Sequence, residues 1–93
     1  MAETWRVDPT ASISWHAFGD AWVVFDNGSG QTHRLDALTA AVLDRLCEAA
    51  TTADDIAAHL AAAGALEVPG LGDLVRAALE NLHDVGLADR ASA

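Results

Sequence analysis

Lysine is absent from this chain, and its 5 basic residues are all arginines, placed singly at Arg6, Arg34, Arg45, Arg76 and Arg90. Against 14 acidic residues they leave a formal charge of −9. Nucleic-acid binding needs clustered cations that displace counterions from phosphates, and no such cluster exists here. The charge instead favours solubility, with peptides or proteins as partners. "GSGQTH" lacks the lysine of a phosphate-binding loop, and a strand pattern follows it where a phosphate site would want a helix N-terminus. The lone cysteine, Cys47, excludes an internal disulfide and agrees with a reducing compartment. No apolar run is long enough to cross a membrane. The start "MAETWRVDP" has neither the basic end nor the apolar stretch of a secretory signal, so the expected location is cytoplasmic.

Other chemistry is thin as well. His16, His33, His59, His83 and Cys47 lie apart, with no His-x-x-x-His or Cys-x-x-Cys pairing, so no metal or cofactor is expected. Cys47 falls late in a helical pattern beside Leu46, which reads as a buried structural thiol. No Gly-x-Ser-x-Gly elbow occurs, and the chain is expected not to be an enzyme. An acyl carrier would need a serine in an Asp-Ser-Leu motif, where this chain has Asp36-Ala37-Leu38.

What is present is a strand-rich first third followed by helices. With 93 residues, 52% of them hydrophobic, the chain makes one domain. "ISWHAF" (13–18) and "AWVVFD" (21–26) are rich in β-branched and aromatic residues, and Gly19-Asp20 between them suggests a tight hairpin. Asn27-Gly28-Ser29-Gly30 reads as a second turn and "QTHRL" (31–35) as a third strand. Residues 1–10 and 89–93 read as loose ends, though Trp5 and Val7 have the character to pack on the sheet.

Asp36 fits a helix N-cap, and Leu38, Val42, Leu43 and Leu46 then fall on one face of a helix over 37–49. Thr52 and Asp55 resemble a capping box opening a helix over 53–63, with Ile56 and Leu60 inward and Gly64 as its stop. "ALEVPG" is a loop. A third helix spans 71–85, with Leu71, Leu74, Val75, Ala78, Leu79, Leu82 and Val85 on a broad apolar arc, and Gly86 ends it. The expected fold is α+β and winged-helix-like: a three-stranded antiparallel meander followed by three helices. That fold admits a DNA reader. Yet the third helix carries Asp73, Glu80 and Asp84 with a single Arg76, the wrong sign for phosphates, so nucleic acid stands as the weaker alternative.

"AWVVFDNGSGQTHRLDALTAAVLDRL" resembles the PqqD-type peptide-chaperone family, the recognition elements for ribosomally synthesised, modified peptides. The likeness runs over residues 13–90 and is greatest to the subgroup described alongside a protein related to HPr kinase. The shared features are the Val-Val-Phe-Asp strand, Ser29-Gly30, Thr32-His33, Leu35-Asp36 and the Ala-Val-Leu of the next helix. The resemblance implies a noncatalytic domain that binds the leader segment of a precursor peptide by strand addition and presents it to a modifying enzyme. It implies that Gln31, Thr32, His33, Arg34 and Leu35 form the receiving edge, facing a groove made with the third helix. One margin of that helix carries Val75, Leu79 and His83 with Arg76 beyond them; the other carries Ala77 and Asn81. The first margin combines apolar anchors with a cation and is expected to face the strand. A third possibility is a structural subunit that forms a homodimer through this exposed edge.

A chelator such as EDTA is expected to leave both the circular dichroism spectrum and the melting temperature unchanged. A chelator-induced loss of structure would reveal a metal site that the histidine spacing hides.

Overall fold

A computed structural model describes residues 3–18, 21–62 and 69–91. Its elements are β1 (Thr4–Val7), β2 (Ile13–Phe18), β3 (Ala21–Asp26), β4 (Gln31–Leu35), α1 (Ala37–Glu48), β5 (Thr51–Thr52), α2 (Ala53–Ala62), α3 (Leu71–Asp84) and β6 (Ala88–Ala91). The strands of the meander pair antiparallel in the order β2-β3-β4, and the three helices follow, as the sequence pattern implies. Period-two alternation divides the meander's faces. Trp15, Val24 and His33 share a row on the face toward α1, and His16, Val23 and Arg34 share a row on the opposite face. The Gly19-Asp20 turn, Gly64 and most of the 65–70 loop fall outside the described residues.

The chain ends are not loose. β1 pairs with β6 from Thr4↔Ala91 to Val7↔Ala88 and with β5 at Thr4↔Thr52, building a second sheet in the order β5-β1-β6. Each of these strands is four residues or fewer, and the partners of β1 lie far from it in the chain, at 51–52 and 88–91. Neither "TWRV" nor "ADRA" carries an apolar run, so only the tertiary pairing reveals them. Trp5 anchors this sheet at 4% exposure. The Arg90 guanidinium lies 4.8 Å from the centre of its ring, and His83 meets it edge-on at 6.2 Å. Arg90 is held there by Glu3 at 3.0 Å and Glu80 at 2.6 Å.

The helices begin and end where their caps demand. Asp36 accepts from the Thr39 N–H at 2.7 Å, and Thr52 Oγ1 accepts from the Asp55 N–H at 3.1 Å. The Asp55 carboxylate reaches Thr51 Oγ1 at 3.4 Å, so the side-chain half of the box goes to the neighbouring threonine. α3 closes in a Schellman motif. Gly86, with φ of +80°, donates to the His83 carbonyl, and Leu87 donates to the Leu82 carbonyl at 2.9 Å. Leu87 is then fully buried, which turns the chain directly into β6. The core gathers Val24, Val42, Leu43, Ile56, Val75, Leu79, Leu82 and Leu87, all essentially inaccessible. The apolar arc expected on α3 is narrower than its sequence, since Leu74 and Val85 are 43% and 42% exposed.

The turn after β3 is organised by Asp26. Its Oδ1 accepts from the Ser12 N–H at 3.0 Å and the Gly28 N–H at 2.9 Å, and its Oδ2 accepts from Ser29 Oγ at 3.0 Å. A Cβ at Gly28 would lie 2.5 Å from the Thr10 carbonyl oxygen, so only glycine fits. Gly30 closes the turn with φ of +76°, donating to the Asp26 carbonyl at 2.8 Å. The register Asp26↔Gln31 through Trp22↔Leu35 follows.

Two stability measurements check these contacts. Trp5→Ala is expected to cost about 3–5 kcal/mol in urea unfolding, because it empties a buried indole site. A neutral outcome would mean that the second sheet is not part of the folded core. Hydrogen bonds from the Ser12 backbone N–H, then from the Gly28 N–H and the Ser29 hydroxyl, hold the Asp26 carboxyl below its ordinary value. A depressed folded value gives stability that is present above the unfolded carboxylate pKa and lost as acid protonates the native state. The protein should therefore melt above Asp26→Asn at neutral pH, with the difference closing below about pH 4. A gap that persists unchanged into acid would show that the carboxylate charge contributes nothing.

Candidate functional site

β4 is paired on one side only: β3 occupies that side, and among the described residues nothing hydrogen-bonds to the other. Such an edge presents backbone N–H and C=O groups with no partner. Beside it runs a groove of about 370 Å³. Thr32, His33, Arg34 and Leu35 of β4, with Asp36 and Thr39 at the start of α1, form one wall. Asn81, Leu82 and Val85 at the end of α3 form the other. Gln31 lies at the turn end of the strand, opposite Asp26, and is exposed.

The groove is polar above and apolar below. Leu35 and Leu82 are buried in its floor, whereas Asn81 and Val85 stand exposed at the rim. His33 alternates onto the α1 side of the sheet, where its Nε2 is buried without a hydrogen-bond partner. A buried nitrogen left unpaired costs its desolvation. Thr32 and Arg34 alternate to the other face. Arg6 pairs with Asp89, Arg45 with Glu48, Arg76 with Asp54 and Asp73, and Arg90 with Glu3 and Glu80. Arg34 alone has no carboxylate partner among the described residues, in a chain with an excess of acid.

The margin of α3 that faces β4 is the opposite of the one expected. Val75 and Leu79 are wholly buried in the core. Arg76 leans toward α2, 3.1 Å from Asp54, with Asp73 of its own helix at 3.5 Å. His83 packs against Trp5 and stands 3.9 Å from Asp89 of β6. That margin is apolar because it is core, and its cation is already neutralised by two carboxylates. The structure thus brings Thr32, His33, Arg34 and Leu35 together with Asn81, Leu82 and Val85. Val85 carried the missed signal, as an apolar residue at the last turn that the Gly86 cap leaves facing outward.

Cys47 is exposed, contrary to the expected buried thiol. Partial burial of the side chain, then the nearby Asp44 carboxylate, push its thiol up and away from reactivity. The described residues contain no group of three or more histidine, cysteine or acidic side chains arranged to hold a metal ion, and no helix among them is long and apolar enough to cross a membrane.

Among curated proteins no sequence matches this chain. Two solved structures share its fold. "TbiB1 in Complex with the TbiA(beta) Leader Peptide" is 17% identical, with a TM-score of 0.69 over 95% of this chain and 99% of that one. "Lasso peptide synthetase B1 complexed with the leader peptide" is 24% identical, with a TM-score of 0.67 over 91% of this chain and 96% of that one. The family described as "Coenzyme PQQ synthesis protein D (PqqD)" matches residues 21–88, which run from the start of β3 to the start of β6 and take in both walls of the groove. The chain belongs to this PqqD family.

Proposed function

We propose that this domain binds the leader segment of a ribosomally synthesised precursor peptide and presents it to a modifying enzyme, without performing chemistry itself. The leader adds as a strand to the open side of β4 and lays alternate side chains into the groove against α3. The observation that carries this reading is the unpaired β4 edge lying directly beside the groove against α3. Strand addition takes its affinity from backbone groups and its specificity from pockets for alternate side chains. Both kinds of feature stand side by side here. The two structures that share the fold are each titled as leader-peptide complexes, which supports the same reading.

Nucleic acid fits less well. The cation on α3, Arg76, is held by Asp54 and Asp73, and the exposed face around it carries acid. Covalent catalysis would require a nucleophile held beside a base, and the groove walls offer none: Thr32 and Thr39 have no hydrogen-bonded base, and Cys47 lies elsewhere.

Ordering a flexible peptide costs ~2–5 kcal/mol, so the expected affinity is near micromolar, about −8 kcal/mol. Titration of isotope-labelled protein with candidate leader peptides should shift the amides of Thr32–Leu35 together with those of Asn81 and Val85. Changing the Thr32 or Arg34 side chain should weaken binding modestly, because the backbone carries most of it. Proline deletes an N–H, and alternate residues of an edge strand point theirs outward. Proline at one of Thr32 or His33 should abolish binding, while at its neighbour it should mainly harm the fold. Val85→Glu tests the far wall at an exposed position and should weaken binding about tenfold or more. Leu79→Glu would instead test only the core. Peptide shifts confined to β2, with Thr32–Leu35 unmoved, would overturn the assignment of the edge.

A further inference from the structure

A second recess lies on the other flank of α1. Ala37, Ala40, Ala41 and Asp44 recur at i, i+3, i+4 and i+7 and form one stripe along the helix. Opposite them stand Trp15 of β2 and Trp22 of β3, with their rings perpendicular at 89° and their centres 5.9 Å apart. Two large indoles facing three alanines leave a gap of about 330 Å³. Trp22 is left 42% exposed at its mouth. An indole normally buries far more of itself, and a half-open one beside a preformed recess marks a surface with something to receive.

The chemistry of the recess is specific. Its walls are apolar and aromatic, and among the described residues its single charged group is the Asp44 carboxylate. Asp44 has no ion-pair partner among the described residues: the adjacent Arg45 is taken by Glu48, and Arg6, Arg76 and Arg90 are engaged elsewhere. Arg34 stands on the sheet face turned away from α1. The faces of indole rings attract cations, and a carboxylate at the end of an apolar slot supplies the counter-charge for a cation on an aliphatic stem. The chain already uses this pairing internally, where Arg90 lies 4.8 Å from the Trp5 ring centre with Glu3 and Glu80 as counter-ions. A net charge of −9 on the whole chain also draws a basic partner.

We infer that the Trp15–Trp22–Asp44 recess is a docking site for a basic side chain, arginine or lysine, projecting from a second protein. The stem lies on the alanine stripe, and the cationic head meets the indoles and Asp44. For the identity of that protein, an enzyme receiving the bound leader, the inference rests on the peptide-presenting reading; the chemistry of the recess stands without it. α1 separates the two sites, with Asp36 and Thr39 on the groove and Ala37, Ala40, Ala41 and Asp44 on the recess. A leader and a partner can therefore be held at once.

The test titrates the labelled full chain with N-acetyl-arginine amide, N-acetyl-lysine amide and the neutral N-acetyl-norleucine amide, read at the tryptophan indole N–H signals. The expected result is a saturable shift of the Trp15 and Trp22 signals with both cationic probes, no shift of Trp5, and little response to norleucine. Asp44→Asn should weaken the cationic probes about tenfold, and Trp22→Leu should abolish their binding. Both positions are exposed, and unchanged melting curves confirm that each variant folds. Equal response to norleucine, no saturable shift with either cation, or an Asp44→Asn protein that binds as well as the parent would each overturn the proposal. A leader peptide added to the same sample reads the amides of Thr32–Leu35. A failed recess with a working groove, or the reverse, is therefore seen directly.

Discussion

One carboxylate holds the working edge in place. Asp26 ends β3, and its two oxygens gather donors from the segment before β2 and from the turn that leads into β4. Asn27 adds a second tie to the same strand: its backbone N–H donates to the Ser12 carbonyl at 2.7 Å, and its side chain donates to Ser14 Oγ at 2.8 Å. The β3–β4 hairpin is thereby fixed against β2, and the phase of every side chain on β4 follows from it. A slip of one residue would exchange the sheet faces that His33 and Arg34 occupy. The glycines of this turn serve the same end by different means: Gly28 admits the Thr10 carbonyl, and Gly30 supplies the left-handed backbone.

The second sheet decides what α3 has left to offer. β1 and β6 join the two ends of the chain, and Trp5, His83, Asp89 and Arg90 occupy one flank of the helix. α2 takes the next flank through Arg76 and Asp54. What remains free is the margin carrying Asn81 and Val85, beside β4. With the second sheet, α2 and α1 packed against it, the helix exposes one remaining side, and that side is the wall of the groove. The Schellman turn at Gly86 completes the arrangement, since burying Leu87 ends α3 with Val85 still exposed.

α1 gives the molecule two distinct recesses on a single support. One is bounded by a bare strand edge and polar groups, which suits an extended backbone. The other is bounded by indoles, alanines and a carboxylate, which suits a single long cationic side chain.

The meander, the three helices and their caps could be read from the sequence because each is set by neighbours in the chain. β-Branched runs broken by Asn-Gly, an aspartate before an apolar period, and a glycine after one all act within a few residues. The resemblance carried by "AWVVFDNGSGQTHRLDALTAAVLDRL" also lay in the sequence, and with it the expectation of an edge at 31–35. The second sheet was not legible, because Thr4 meets Ala91 only when the whole chain has folded, and four-residue strands carry no periodicity of their own. The groove-facing margin of α3 was hidden for a related reason. A helical wheel ranks Val75 and Leu79 as the best apolar anchors, and burial in the core removes those same residues from any ligand. Local sequence therefore determined which elements form and where they stop. Tertiary packing decided which face of each is consumed by the core and which is left to meet a partner, because that allocation depends on contacts between residues far apart in the chain.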